Sequence, residues 1–192
     1  MKYRFSLKWS LFVFGFTAFS LCLFFVLFAY GFSSKTISIS KQENPGLPMR
    51  LKIPLINIDA FIEQVGLTPT GAMDVPQGAD DVAWFSLGPR PGEPGSSVID
   101  GHYGYKNNRP AVFDNLYKLQ KGDKIMVTNQ AGIVTTFVVR SVVKYDAKAN
   151  AGSVFSSSDG LAHLNLITCS GVWDSVAKSH SQRLIVFADK EI

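Results

Sequence analysis

A cysteine closing one apolar run and an arginine opening the next are the residues of this sequence best placed to do chemistry. Leu164-Asn165-Leu166-Ile167-Thr168-Cys169 and Arg183-Leu184-Ile185-Val186-Phe187-Ala188 each crowd apolar and β-branched residues into six positions, with turn-forming Gly, Ser and Asp around them. That is the pattern of two strands. The connection from Ser170 to Gln182 is short enough for them to lie near each other, with the Cys169 thiol beside the Arg183 guanidinium. A neighbouring cation favours the thiolate, which is the nucleophilic form. The commoner fate of a free cysteine is to be a small buried hydrophobe. Against that stands a histidine supplied from far away in sequence, as cysteine–histidine catalysis often requires. Ser97-Val98-Ile99-Asp100-Gly101-His102 reads as a strand ending in Gly-His, and Gly101 and Gly104 let the chain turn so that the imidazole points into a cleft.

His102, the run Leu166-Ile167-Thr168-Cys169 and Arg183-Leu184, in this order and spacing, resemble a sortase, the cysteine transpeptidase of Gram-positive-type cell surfaces. The loop Arg90-Pro91-Gly92-Glu93-Pro94-Gly95-Ser96-Ser97 is similar to a Pro-Gly-Glu-x-Gly segment of the smaller class D, E and F sortases. The resemblance spans about Leu51 to Asp189. It implies an all-β fold, a closed eight-stranded barrel with one or two short helices. It also implies catalysis by His102, Cys169 and Arg183, no cofactor, and a sorting-signal peptide as substrate. The acceptor would be an amine on a peptidoglycan precursor or on a pilin. Thr168 is expected to hold the thiol-bearing strand end or to meet the substrate. Trp173 and His180 are expected to line the site, and Trp84 and Phe155 are further candidates for the groove wall, although buried aromatics are mostly core.

Asp100 shares a strand face with His102 by period two and could orient the imidazole or contact the substrate, although a solvated carboxylate is the plainer expectation. His163 lies six residues from Cys169, about 20 Å at strand rise, and reads as a surface or barrel-end residue. A metal site built from Cys169, His163 and His180 has no ligand-like spacing. Asp80, Asp81, Glu93 and Asp114 show no calcium-ligand pattern.

The elements that must position these groups follow a membrane-type N-terminus. Of 192 residues, Leu11 to Phe32 form an uncharged run of 22. As a helix the run would extend about 33 Å, enough to cross a bilayer. Lys2, Arg4 and Lys8 precede it, so the positive-inside rule expects a single-pass anchor with the N-terminus cytoplasmic and the rest outside. A cleaved signal peptide ending near Ala29-Tyr30-Gly31 is the rival. The expected organisation is a cytoplasmic segment over 1–10, an anchor over 11–32, a spacer over 33–49 and the catalytic domain over 50–192. The net charge of +4 is no sign of nucleic-acid binding. Residues 1–50 hold six basic residues against one acidic, and the remainder holds 13 against 14. Cys22 falls in the apolar run, which leaves Cys169 unpaired in an oxidising compartment and worth attention as a reactive thiol.

Further strands are expected at Leu51–Ile58 with Ala60–Ile62, broken at Pro54, at Val82–Phe85, and as a hairpin from Lys124–Val127 to 132–143. Val112, Phe113, Leu116 and Leu119 predict one short amphipathic helix over 111–119. The serine-rich stretch around Val154 and Phe155 reads as a loop. From this sequence a water-using cysteine endopeptidase, or a non-catalytic barrel with a peptide-binding groove, remain alternatives to a transpeptidase.

Overall fold

Pro54 is where the first strand has to stop. β1 (Pro48–Ile53) buries Leu51 and Ile53 on one face. Pro54 has no N–H to give a ladder and opens a three-residue 3-10 turn, Pro54–Ile56. Asn57 ends the turn in the left-handed region at φ 56°, and β2 (Ile58–Val65) returns antiparallel along β1. The computed structural model describes residues 45–106 and 109–192. The expected membrane anchor and most of the expected spacer lie outside them. No helix among the described residues is long and apolar enough to cross a membrane. β1 begins at Pro48, so the last two residues read as spacer are strand.

β3 (Val82–Phe85) runs parallel to β2, and β4 (Gly95–Gly101) antiparallel to β3. β5 (Tyr105–Lys106) and β6 (Arg109–Pro110) form a small separate hairpin. β7 (Lys124–Asn129) and β8 (Val134–Asp146) make the expected hairpin, followed by the single helical turn α1 (Gly152–Phe155). β9 (Ala162–Asp174) and β10 (Ser179–Lys190) are longer than their apolar runs. The expected connection between them is therefore mostly strand, with its turn at 175–178. The order β1-β2-β3-β4-β9-β10-β8-β7 closes into an eight-stranded barrel, β7 pairing with β1. Closure leaves none of these eight strands as a free edge.

Two apolar clusters, one inside the barrel and one outside it, fix which way every side chain near the site points. Inside lie Ile99, Leu164, Leu166, Leu184 and Val186 with Leu51, Phe113 and Phe137. Outside, Val98, Ile185 and Phe187 pack with Val154 of α1 and Ile167. The outer face of β4, β9 and β10 is thus covered, and the stretch read as a loop is anchored by a fully buried Val154. Asn165 Nδ2 donates to the Val154 carbonyl (2.6 Å) and fastens the turn from below.

The expected amphipathic helix over 111–119 is corrected to turns and a 3-10 segment, Leu116–Lys118. Phe113, Leu116 and Leu119 are buried as the pattern required, and Val112 is partly buried against the same core. The backbone is committed elsewhere, because the Ala111, Val112 and Phe113 amides donate to Gly104, Ala79 and His102, and the bonds that follow span three residues rather than four. His163 also departs from expectation. It is 3% exposed, with Nδ1 2.6 Å from Asp189 Oδ1 and Nε2 3.0 Å from Asp159 Oδ2. It thereby pins the segment after α1 to β10.

Candidate active site

Strand register brings the thiol and the guanidinium together. Arg183 stands directly opposite Cys169 in the antiparallel β9–β10 pair, and Asp100 stands opposite Ile167 in the parallel β4–β9 pair. Leu166 and Leu184 face the barrel interior, so by strand alternation Cys169, Arg183, Ile167 and Ile185 face outward. They form the floor of a groove of about 680 Å³ that also takes in Asp100 and His102. Its walls are mostly apolar: Leu67, Met73 and Val75 from the β2–β3 connection, Phe85 from β3, and Ala151 and Phe155 beside α1. Phe85 and Phe155 meet edge to face at 5.5 Å, so two walls are joined by an aromatic contact. Cys169 also lines a smaller cavity of about 250 Å³ with Tyr103, Tyr117, Lys144 and Ser170.

His102 follows the last residue of β4, and two features hold it there. A β-carbon at Gly101 would lie 2.5 Å from Cδ2 of the fully buried Phe113, so this position has room only for glycine. Thr168 is completely buried and its Oγ1 donates to the Gly101 carbonyl (2.7 Å), tying the end of β4 to the residue before the thiol. That bond holds the strand end, and Thr168 is not among the residues that line the groove. His102 Nε2–H donates to the Pro76 carbonyl (2.8 Å), since a carbonyl can only accept. The Phe113 amide donates to the His102 carbonyl (3.0 Å).

Arg183 Nη1 donates to the carbonyls of His180 (3.1 Å) and Gln182 (2.9 Å), which fixes one end of the guanidinium on its own strand. Those carbonyls flank a bulge where Gly171 and Val172 oppose Ser181 alone. Gly171 has φ 79°, and a β-carbon there would come 2.5 Å from Ser181 Oγ, so glycine serves both the backbone angle and the close approach. His180 Nδ1–H donates to the Gly171 carbonyl (3.2 Å), and its ring stands edge-on to Tyr103 (5.3 Å) and Trp173 (5.2 Å). Trp173 and His180 thus sit on the projecting hairpin and reach the groove through Tyr103, which lines it. Of the two expectations for Trp84 the structure shows the core one: it is 3% exposed, its Nε1–H donating to the Pro89 carbonyl (3.1 Å).

The electrostatics differ from the simplest sequence expectation. Burial pushes the Cys169 thiol above its ordinary pKa, more than Arg183 pulls it down, and Asp100 adds to the rise. At rest the thiol is therefore protonated. Asp100, expected from sequence to be solvated, is half-buried where it lines the groove. Burial pushes its pKa to about 7 against the opposing pulls of Arg183 and of a hydrogen bond from the Gly101 backbone. Its electrostatic partners are Arg183 and Cys169. Among the described residues no group of His, Cys, Asp or Glu is arranged to hold a metal ion. Glu93 and Asp114 accept bonds from the amides of Arg90 (2.7 Å) and Gly104 (2.6 Å) and so brace loops.

Sequence reasoning missed Tyr103, Tyr145 and Ile185 as parts of the groove, and the Pro76 carbonyl as the partner of His102. Ile185 could have been found, since it lies two residues from Arg183 and shares its strand face.

A closed eight-stranded barrel that gathers thiol, imidazole and guanidinium into one groove has close structural counterparts. Sortase C-1 from Actinomyces oris superposes with a TM-score of 0.60 at 25% identity, covering 74% of this chain and 73% of that one. A Clostridium perfringens sortase D5 transpeptidase matches at 0.56 and 22% identity, covering 77% and 79%. Sortase A from Corynebacterium diphtheriae matches at 0.58 and 22%, covering 76% of this chain but 61% of that one. No curated protein matches. The sortase domain family matches residues 51–191, and the chain belongs to that family of cysteine transpeptidases.

Proposed function

We propose that this protein is a membrane-anchored transpeptidase. In this reading it cleaves a C-terminal, LPXTG-like sorting signal of exported proteins and joins them to an amine on a peptidoglycan precursor or a pilin. The apolar run over 11–32 would hold it in the lipid of the cell membrane, with the barrel outside. The observation that carries the reading is the register of Arg183 against Cys169 on the floor of a groove that also contains His102.

The shared groove and the strand register support the following roles. With the thiol protonated at rest, Cys169 gives its proton to His102 as Sγ attacks the scissile carbonyl. His102 Nε2–H is engaged by Pro76, which leaves Nδ1 to carry the transferred proton. The forming oxyanion meets the Arg183 fork, whose planar donors lysine could not copy. The C–N bond then breaks, the departing amine leaves with the proton from His102, and an acyl thioester remains on Cys169. An incoming amine attacks the thioester, gives its proton to His102, and restores the thiol.

Steady-state cleavage of a fluorogenic sorting peptide, with and without triglycine, tests this against a water-using endopeptidase. Triglycine should divert most product to the ligated peptide in wild type, and Cys169→Ala should make neither product. Hydrolysis that triglycine leaves unchanged would favour the endopeptidase.

A further inference from the structure

The groove is lined chiefly by aliphatic and aromatic side chains, and Asp100 is one of its two carboxylates, with Asp146, that the mechanism does not use. Its place is fixed. It faces outward from β4, opposite Ile167 and one strand away from Ile185, in the same depression as Met73 and Phe85. Such an apolar groove needs no carboxyl to bind an apolar peptide, and partly burying one costs stability.

Along β9, Asp100 lies level with a residue two before the nucleophile, about 7 Å from it at strand rise. An extended substrate that lies along β9 with its scissile carbonyl at Cys169 would pass Asp100 within about two residues of that carbonyl. We propose that Asp100 is a specificity-determining residue that selects sorting peptides carrying a hydrogen-bond-donating side chain (hydroxyl, amide or ammonium) at that place. The inference rests on the transpeptidase reading above. A donor satisfies the carboxyl, whereas an aliphatic side chain of the same shape seals it from water without a partner, and that asymmetry is the basis of discrimination. Asp100 offers an acceptor in either protonation state, so a neutral hydroxyl or amide can satisfy it across neutral pH. Arg183 nearby adds a positive field. It keeps the ionised carboxyl available and weighs against a second cation, so hydroxyl and amide side chains are favoured over ammonium.

The test measures acylation of Cys169 by peptide pairs differing only in donor capacity, Thr against Val and Asn against Leu, at each of the three positions on the acyl side of the scissile bond. Wild type should prefer the donor member at one of these positions by about 10- to 100-fold in kcat/KM. Asp100→Ala should bring that preference to within about threefold or reverse it. Asp100→Asn, which keeps the shape and an acceptor, should retain part of it and serves as the check that the site is folded. Equal use of both members by wild type, or a preference that survives Asp100→Ala, overturns the inference while leaving the transpeptidase reading intact. Failure of every peptide to acylate Cys169 overturns both.

Discussion

Replacing Asp100 with Asn should stabilise the protein at pH 8 and leave its stability at pH 4 nearly unchanged. Burial raises this carboxyl from its ordinary 3.8 to about 7. In the unfolded chain it ionises near pH 4, but in the folded protein it holds its proton until about pH 7. Between these values the folded state binds more protons, so the contribution of Asp100 to stability falls as pH rises through the interval, and above it the loss is constant. At about 1.4 kcal/mol for each pH unit the full displacement corresponds to about 4 kcal/mol. Partial access to water reduces the expected difference to about 1–2 kcal/mol. Urea unfolding of wild type and Asp100→Asn at half-unit steps from pH 4 to pH 8 reads the effect directly. The difference between the two should open between pH 4 and 7 and stay level above. A difference independent of pH would refute the assignment of a partly buried carboxyl.

Three further outcomes follow from the same geometry. Gly101→Ala forces a β-carbon against the buried Phe113 ring; it should cost about 1–3 kcal/mol by thermal unfolding and lower kcat by displacing His102. Thr168→Val removes the bond to the Gly101 carbonyl while keeping the shape; a stability loss of about 1–2 kcal/mol is expected, with kcat reduced and the Cys169 alkylation rate preserved. Arg183 pulls the thiol pKa down, so Arg183→Ala should slow iodoacetamide labelling of Cys169 at pH 7.5, and raising the pH should recover the rate; faster labelling in the variant would contradict the direction of the effect.

The strands that carry the site were legible because their apolar and β-branched runs are bounded by turn residues, and the Cys169–Arg183 encounter follows from where those runs end and begin. Less legible was which face of β9 is the interior. Leu166 points inward and Ile167 outward, and both are apolar because the outer face is covered in turn by α1 and its neighbours. Thr168 is buried because it shares the inward face with Leu166, and the partial burial of Asp100 depends on the outer layer, which one strand's pattern does not reveal. His163 was misplaced for the same reason, since its partners Asp159 and Asp189 come from a loop and from β10. The Pro76 carbonyl that holds His102 is backbone, and no residue type announces it. Over 111–119 a spacing of three and four residues fits turns as well as a helix when neighbouring segments claim the amides.

The central claim is that Cys169 carries the acyl group between two amines. Intact-mass spectrometry of the protein mixed with a sorting-signal peptide and quenched within the first turnover measures this directly. The account predicts an adduct equal to the N-terminal peptide fragment, mapped to Cys169, that disappears on adding triglycine as the ligated peptide forms. A peptide consumed with no adduct in wild type, or an adduct that persists in Cys169→Ala, would contradict it.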